Sequence, residues 1–494
     1  MHKATILLYG IMICYFGHAQ EAGIETGETG GTTDWKIEML GSVATGSKTP
    51  FWNVSNRYGV VPLEAGNGYL RVAVTHEHKL GNNFYVNLGT DMIASSHHYR
   101  NVFLQQGFAE VGYKILLLSI GVKENYISLF DRDISSGDMV QSANARPIPE
   151  IRLAVPQFTV IPYTHGWLQF RGDFALGKSY DTDYLKYKHN KDAYYIRDVL
   201  WHHKSLHIRL SDTRNGFPLS LIIGLRHRAQ WGGVSNNPVI GVQPHSWKDF
   251  VRIVLSRSGG ADATPGDIIN VLGNHVGSYD IKAGYVARNG FAAFVYKQHF
   301  FDDASGMEWY NYPDGLYGLQ VNIPHFALLN SLVIEFLNTC HQSGPFHKID
   351  FDHDKYPGFG GGGDDYYNHA GNYSTGLSYY SRSIGTPLIK SPEYNSSGWL
   401  GFENNRVQAL HFGVKGYLSS IIAYRALVTS INGWGTHGRP LLKKSTGVMT
   451  GAGLTFYHPR LNGWQLKLDA ATDTGNMFSK GTGLNLTIIK NGSY

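Results

Sequence analysis

The 494-residue chain carries 43 Lys and Arg against 38 Asp and Glu, a net charge of only +5, with no long block of one sign. That balance leaves no electrostatic footprint for nucleic acid. Aromatic residues reach 13% and charged residues only 16%, with 59 Gly and 31 Tyr, a balance that suits a large all-β protein, soluble or crossing a membrane as strands.

Met1-His2-Lys3 opens a basic start, Ala4 to Phe16 is apolar, and Gly17-His18-Ala19-Gln20 follows. This reads as an export signal cut after Ala19, too short to span a bilayer as a helix. The remaining segment, 20–494, is expected to form one barrel unit. Of the two cysteines, Cys14 lies in the signal and only Cys340 remains. No intrachain disulfide is then possible, and stability rests on packing and backbone hydrogen bonds. Gly41 to Thr49 is a near miss to a phosphate loop. Ser47 separates Gly46 from Lys48, and Pro50-Phe51-Trp52 stands where a phosphate-binding helix is required.

From Leu70 onward, period-two alternation recurs: Leu70/Val72/Val74, Phe84/Val86/Leu88, Leu116/Leu118/Ile120 and Leu168/Phe170/Phe174. Later sets are Leu206/Ile208/Leu210, Ile281/Ala283/Tyr285, Ala292/Phe294/Tyr296, Leu410/Phe412/Val414, Leu466/Leu468 and Leu484/Leu486/Ile488. Gln, Arg, Asp, Lys and Gly occupy the opposite faces. Segments of about ten residues, short turns alternating with long connections, and aromatics near strand ends favour a transmembrane antiparallel barrel over a soluble sandwich. In lipid every backbone group needs an internal partner, so strands must close into a ring. The length suits about 16 to 18 strands.

Between the third and fourth sets lies Asn144-Ala145-Arg146-Pro147-Ile148-Pro149. Two prolines remove donors and fix φ, which suits an extended entry into the strand that begins near Ile151. Asn144, Arg146, Pro147 and Pro149 are therefore expected at the barrel rim, with Arg146 bonding neighbouring carbonyls or carboxylates.

His202, His203 and His207 are split between two faces by strand alternation and make no metal site. Ser246-Trp247-Lys248-Asp249 reads as a capping box opening an amphipathic helix, and Thr264-Pro265-Gly266-Asp267 as a second helix start closed by Gly273. This 246–273 loop is expected to cover the barrel mouth as a plug. Phe300 to Gly318 combines aromatic rings with acids, the side chains that stack on sugar C–H faces and accept hydroxyl hydrogen bonds. Trp247, Lys248, Trp309, Tyr310, Tyr312 and Asp314 are the expected glycan contacts; the alternative is that these rings anchor strand ends in the membrane interface. Asp350, Asp352 and Asp354 begin like a calcium loop, but Lys355 and Gly361 break it. The glycine run from Gly358 to Gly363 lacks a preceding strand and reads as a flexible loop.

Several motifs together resemble the capsule-assembly Wzi family of outer-membrane proteins. They are Thr49-Pro50-Phe51-Trp52 with Ser55 to Gly59, the Asn144 to Pro149 segment, Gly273 to Ser278, Pro313 to Gly318 and Gly385-Thr386-Pro387-Leu388. The resemblance implies an occluded barrel of eighteen strands in a Gram-negative outer membrane. It further implies a lectin that helps hold capsular polysaccharide or exopolysaccharide at the cell surface, and it fixes no individual sugar-binding residue. One departure is the last strand, where Lys490 and Gly492 interrupt the alternation before Tyr494.

The expected partners are that polysaccharide, outer-membrane lipid with lipopolysaccharide, and other polysaccharide-export components. No cofactor, metal or catalytic residue is expected, because no nucleophile, zinc helix or acid/base pair emerges. A solute channel is the alternative function, motivated by the polar lumen face.

Overall fold

The computed structural model describes residues 30–188, 193–212, 216–344, 363–369 and 371–494. The export-signal segment, the aspartates at 350–354 and the glycine run up to 362 lie outside the described residues.

Eighteen strands form one sheet. They are β1 Gly31–Ala44, β2 Asn67–Lys79, β3 Phe84–Ser95, β4 Val102–Tyr113, β5 Leu116–Val122 and β6 Glu150–Val160. Next come β7 Leu168–Lys178, β8 Leu200–Ser211, β9 Leu219–Trp231, β10 Asn274–Val286, β11 Ala292–Phe301 and β12 Gly315–Asn322. The circuit ends with β13 Ser331–Asn338, β14 Val407–Ser419, β15 Ile422–Gly435, β16 Pro440–Tyr457, β17 Trp464–Gly475 and β18 Gly481–Ser493. Each strand pairs antiparallel with its sequence neighbours, and β18 pairs with β1 from Ala44↔Gly483 to Asp34↔Ser493, which closes the barrel. Closure leaves no strand edge unpaired.

The alternation sorts the two faces. Met39, Leu70, Val72, Leu118, Ile120, Leu153, Leu206, Leu225, Phe412, Leu454, Leu468 and Leu486 project outward as exposed apolar side chains. A lysine or arginine there costs about 2–4 kcal/mol at the bilayer midplane, so charges turn inward. Inside, they pair: Arg71 with Asp91 and Glu124, Arg152 with Asp173, Arg57 and Arg425 with Asp469. Lys490 keeps outward parity, but its ammonium reaches the Asn462 carbonyl and lies 5.6 Å from the Trp464 ring centroid. It snorkels at the strand end, which is how the last strand tolerates it.

β11 reverses the expected faces. Tyr296 bonds Glu335 at 2.6 Å and stacks on Phe130 inside the lumen, while Val295 faces out. Tyr296 is stable there because Phe130 of the plug covers its ring.

Connections on one side of the barrel have two to eight residues, and the chain ends on that side; the strand ends that flank the long connections 45–66, 123–149, 179–199, 232–273 and 339–406 all lie on the other. Short turns are periplasmic and long loops extracellular in barrels of this class.

Three of the long connections fill the lumen. In the 123–149 segment, the Ser135 hydroxyl and Ser136 amide donate to Glu335 at 2.7 Å each, and the Met139 amide donates to Gln298 at 2.7 Å. Asp138 pairs with Arg226, both fully buried, and His411 Nε2 meets the Ile134 carbonyl at 2.9 Å. Gly413 allows that approach, since a Cβ there would lie 2.2 Å from the Ile134 oxygen. The 45–66 segment carries helix α1 (Phe51–Val54). It packs against β16–β18, with the Phe51 amide on Asp473 at 2.8 Å and Trp52 over Gly451. The 363–406 segment seals the rest through a cluster that includes Tyr366, Tyr367, Tyr373 and Phe402.

The barrel is therefore occluded, but not by the two-helix loop expected to cover the mouth. Helix α3 (Trp247–Val254) forms behind its capping box, with the Asp249 amide on the Ser246 hydroxyl and the Ser246 amide on the Asp249 carboxylate. Helix α4 (Pro265–Ile269) starts at Pro265. The buried face of α3, Phe250 and Ile253, packs on Ala229, Trp231 and Leu272, and Phe250 also meets Phe174 and His202. Ala229, Trp231, Phe174 and His202 share outward parity with exposed Leu225, Leu176 and Leu206. The loop thus lies on the outer wall. Its amphipathic pattern was legible, but the side of the wall it covers was not.

Candidate functional site

The expected glycan contacts fall into two outer-wall patches near the long-loop rim. Trp247 and Lys248 sit at the start of α3, where the Trp247 ring is 73% exposed and lies tilted against Phe250 at 5.2 Å. The second patch is the 302–314 loop, carrying helix α5 (Ala304–Met307) capped by Asp303. Trp309 stacks on His299 at 3.8 Å and 12°, and on Tyr279 at 6.0 Å, both on the outward faces of β11 and β10. The Lys297 ammonium lies 4.7 Å from the Trp309 ring, 4.9 Å from Tyr312 and 4.9 Å from Tyr317. Tyr310 and Tyr312 are exposed beside them. These rings line the membrane side of the rim rather than the mouth.

Asp314 does not face a ligand. It is fully buried, and its carboxylate accepts from Asn338 Nδ2 at 2.6 Å and from the His341 and Gln342 amides at 3.1 and 2.8 Å. Burial raises its pKa to about 6. Asp314 orders its loop and offers no oxygen to a sugar.

Asn144 is buried inside the rim, donating to the Ser383 carbonyl at 3.1 Å. The Arg146 guanidinium lies between the rings of Phe103 and Tyr380, at 4.2 and 4.4 Å, and donates to the Leu104 carbonyl at 2.9 Å. A bulge between β3 and β4 pairs Met92 with Leu104 and leaves Gln105 over. Pro147 and Pro149 precede β6, and the Pro149 carbonyl accepts the Lys178 amide at 3.1 Å. This segment joins the wall to the plug.

A third surface, outside the residues expected from the sequence, lies at the mouth itself. The 96–101 loop and the 179–199 loop, with helix α2 (Thr182–Lys188), leave the wall several strands apart and meet above short β5. Arg100 and Asp183 pair at 3.1 Å across them. Tyr99 packs on Tyr187 at 5.4 Å and Tyr184 at 6.0 Å, and Tyr184 meets Tyr380 at 5.2 Å. Tyr180, Tyr187 and Tyr194 expose 63%, 69% and 51% of their surface. Beneath them Asp181 is buried, takes the Tyr380 amide at 3.3 Å, and has its pKa raised by burial to about 6. Exposed tyrosine rings on a rigid base, beside Arg100, Asp183 and Lys186, present flat apolar faces next to hydrogen-bonding groups. The signal was present in composition: Tyr180, Tyr184, Tyr187, Tyr194 and Tyr195 crowd one connection.

The histidines serve the wall. His203 meets Asp173 at 3.4 Å and His207 meets Asp280 at 3.0 Å inside, whereas His202 turns out to the Ala175 carbonyl at 3.0 Å. Among the described residues, no three His, Cys, Asp or Glu side chains converge on a metal position.

No curated protein matches the chain. Among solved structures it is similar to Wzi of Escherichia coli, a carbohydrate-binding outer-membrane β-barrel involved in group 1 capsule assembly. Identity is 11% and the TM-score 0.55, with 92% of this chain and 83% of that chain covered. Acinetobacter baumannii OccAB4 is also similar, at 9% identity and a TM-score of 0.48, covering 94% of this chain and 99% of that one. Pseudomonas aeruginosa OccK5 follows at 7% and 0.46, covering 94% and 98%. The family model for the capsule assembly protein Wzi matches residues 43–388, well over half of the chain. With its closed eighteen-stranded wall, the chain is an outer-membrane barrel that belongs to the Wzi capsule assembly family.

Proposed function

We propose that this barrel is a non-enzymatic lectin that holds capsular polysaccharide or exopolysaccharide at the cell surface, binding it at the tyrosine-rich mouth. One observation carries the reading. The exposed rings of Tyr180 and Tyr187, with Tyr99 packed against Tyr187, cluster on the extracellular rim above a lumen filled by protein. A filled lumen weighs against a solute channel, and among the described residues no paired acid and base at the mouth supports glycan cleavage. On the same reading, residues 1–19 direct export and are removed. Trp247, Lys248, Trp309, Tyr310 and Tyr312 meet the outer leaflet, with its lipopolysaccharide, as interfacial anchors.

The test is binding of purified, folded protein to polysaccharide from the producing strain, with Tyr187→Ala and Tyr180→Ala as variants. Loss of an exposed stacking ring is expected to weaken binding by about 1–2 kcal/mol, roughly five- to thirtyfold. Binding unchanged in the double variant, or capsule fully retained after deletion of the gene, would refute the reading. Steady single-channel conductance would favour the channel instead.

A further inference from the structure

Below the plug, toward the short-turn side, the lumen opens into a cavity of about 510 Å³ lined in part by Arg132, Arg171, Arg209, Lys282, Phe158 and Phe294. Phe158, Arg171, Arg209, Lys282 and Phe294 come from β6, β7, β8, β10 and β11, and each lies within a few residues of a short-turn strand end. Arg132 projects from the plug, where it is exposed.

Among the described residues no carboxylate touches the cations of this cavity; Asp280 and Asp173 act on Arg171, and Asp131 and Glu335 on Lys282, only at longer range. Arg171 donates to the Ile127 carbonyl at 3.2 Å, and Lys282 to the Leu129 carbonyl at 2.7 Å and Gln320 Oε1 at 3.1 Å. Arg209 donates to Gln169 Oε1 at 2.7 Å, and Arg132 lies over the Tyr58 ring at 5.3 Å. None of the four forms an ion pair among the described residues. Elsewhere in the lumen, Arg57, Arg71, Arg152, Arg226 and Lys415 each reach a carboxylate. Four cations around one cavity with no carboxylate in contact focus a positive field on its opening, which an entering anion would meet.

The apolar component is equally specific. The Phe158 ring lies 5.0 Å from the Arg171 guanidinium and 4.4 Å from that of Arg209, and Phe294 lies 4.8 Å from the Lys282 ammonium. Aromatic faces flanked by guanidinium forks suit a ligand that has both a ring and a carboxylate. The volume falls within the roughly 300–1,000 Å³ of small-ligand sites. We infer that this vestibule is a second binding site, facing the periplasm, for a short acidic saccharide whose carboxylates meet Arg132, Arg171, Arg209 and Lys282. It is separate from the mouth site, because the plug lies between them.

The test is calorimetric titration of the full-length protein in detergent with digalacturonate, maltose and inorganic phosphate. Digalacturonate is expected to bind and maltose not to. The affinity should fall at least tenfold in Arg132→Gln/Arg209→Gln, fall again as salt rises, and stay unchanged in Tyr187→Ala. Equal binding of maltose, no response to digalacturonate, binding of phosphate alone, or full affinity in the double variant would each overturn the site. Heat-modifiable gel migration checks that the variant barrel is folded. Should the double variant not fold, Arg132→Gln alone decides by the same criterion, because among the described residues Arg132 makes no hydrogen bond to the wall. Loss of the mouth function in Tyr187→Ala with digalacturonate binding intact would show that the two sites stand or fall separately.

Discussion

The Asp138–Arg226 pair fastens the plug to the wall, and removing one partner should release it. Arg226 is 0% exposed and Asp138 1%, so neither charge finds water if the other is lost. The other Asp138 oxygen accepts the Val140 and Gln141 amides at 2.9 and 3.0 Å. Breaking one side of a buried ion pair costs about 3–5 kcal/mol, and each lost turn hydrogen bond adds about 1 kcal/mol. Asp138→Ala should therefore weaken local closure of the 134–145 segment by at least about 3 kcal/mol. At 1.4 kcal/mol per tenfold change, its amides should lose roughly a hundredfold or more in hydrogen-exchange protection. Asp138→Asn keeps the turn bonds and isolates the charge. Asp138→Asn/Arg226→Met removes both charges and should recover most of the loss, since a buried pair replaced as a unit is close to neutral. Exchange measured by mass spectrometry on the folded barrel decides. Unchanged protection in Asp138→Ala, or a double variant as open as the single one, would refute the reasoning.

Gly413→Ala places a Cβ 2.2 Å from the Ile134 carbonyl, so the plug must shift. A cost of about 1–3 kcal/mol is expected, read as faster exchange at 134–139 with the wall strands unchanged. Ser246→Ala removes the capping hydroxyl of α3 and should destabilise that helix by about 1 kcal/mol, seen as faster exchange over 247–255. Burial raises the pKa values of the loop carboxylates Asp181, Asp267 and Asp314 to about 6. Between the unfolded value near 3.9 and about 6, the folded loops hold more protons than the unfolded chain, so their stability falls as pH rises through that window and levels off above it. Intrinsic-rate-corrected exchange of these loops should be slower at pH 4.5 than at pH 7.5; the opposite order would contradict the burial argument.

The wall was legible because period two is a local signal, and sets such as Leu70/Val72/Val74 face lipid as the pattern requires. It misled at Ala292/Phe294/Tyr296, where the apolar residues turn into the lumen, Tyr296 against Phe130 of the plug and Phe294 beside the Lys282 ammonium. The plug had no such signal. Ser135 to Asn144 is small, polar and aperiodic, and its partners lie far away in sequence: Asn144 bonds Ser383, and Ser135 bonds Glu335. The capping box at Ser246 was readable from four residues, but whether its helix would lie inside or outside depends on the parity of β8 and β9. The mouth tyrosines were visible as composition, yet only the fold sets Tyr99 against Tyr187.

The wall is uneven in height. β5 spans Leu116–Val122, whereas β16 spans Pro440–Tyr457, with the fully exposed Leu442 in an irregular stretch between paired Pro440 and Ser445. At about 3.3 Å per residue, the regular part of β16 from Ser445 onward is longer than β5 by roughly 20 Å before tilt is considered. The rim therefore has a notch on the β5 side and a parapet opposite, and the tyrosines of the 96–101 and 179–199 loops floor the notch. Under the function proposed above, an open-sided seat of this kind would take hold of a long polymer anywhere along its length. It would need no free chain end to thread, and many barrels would grip one strand at once.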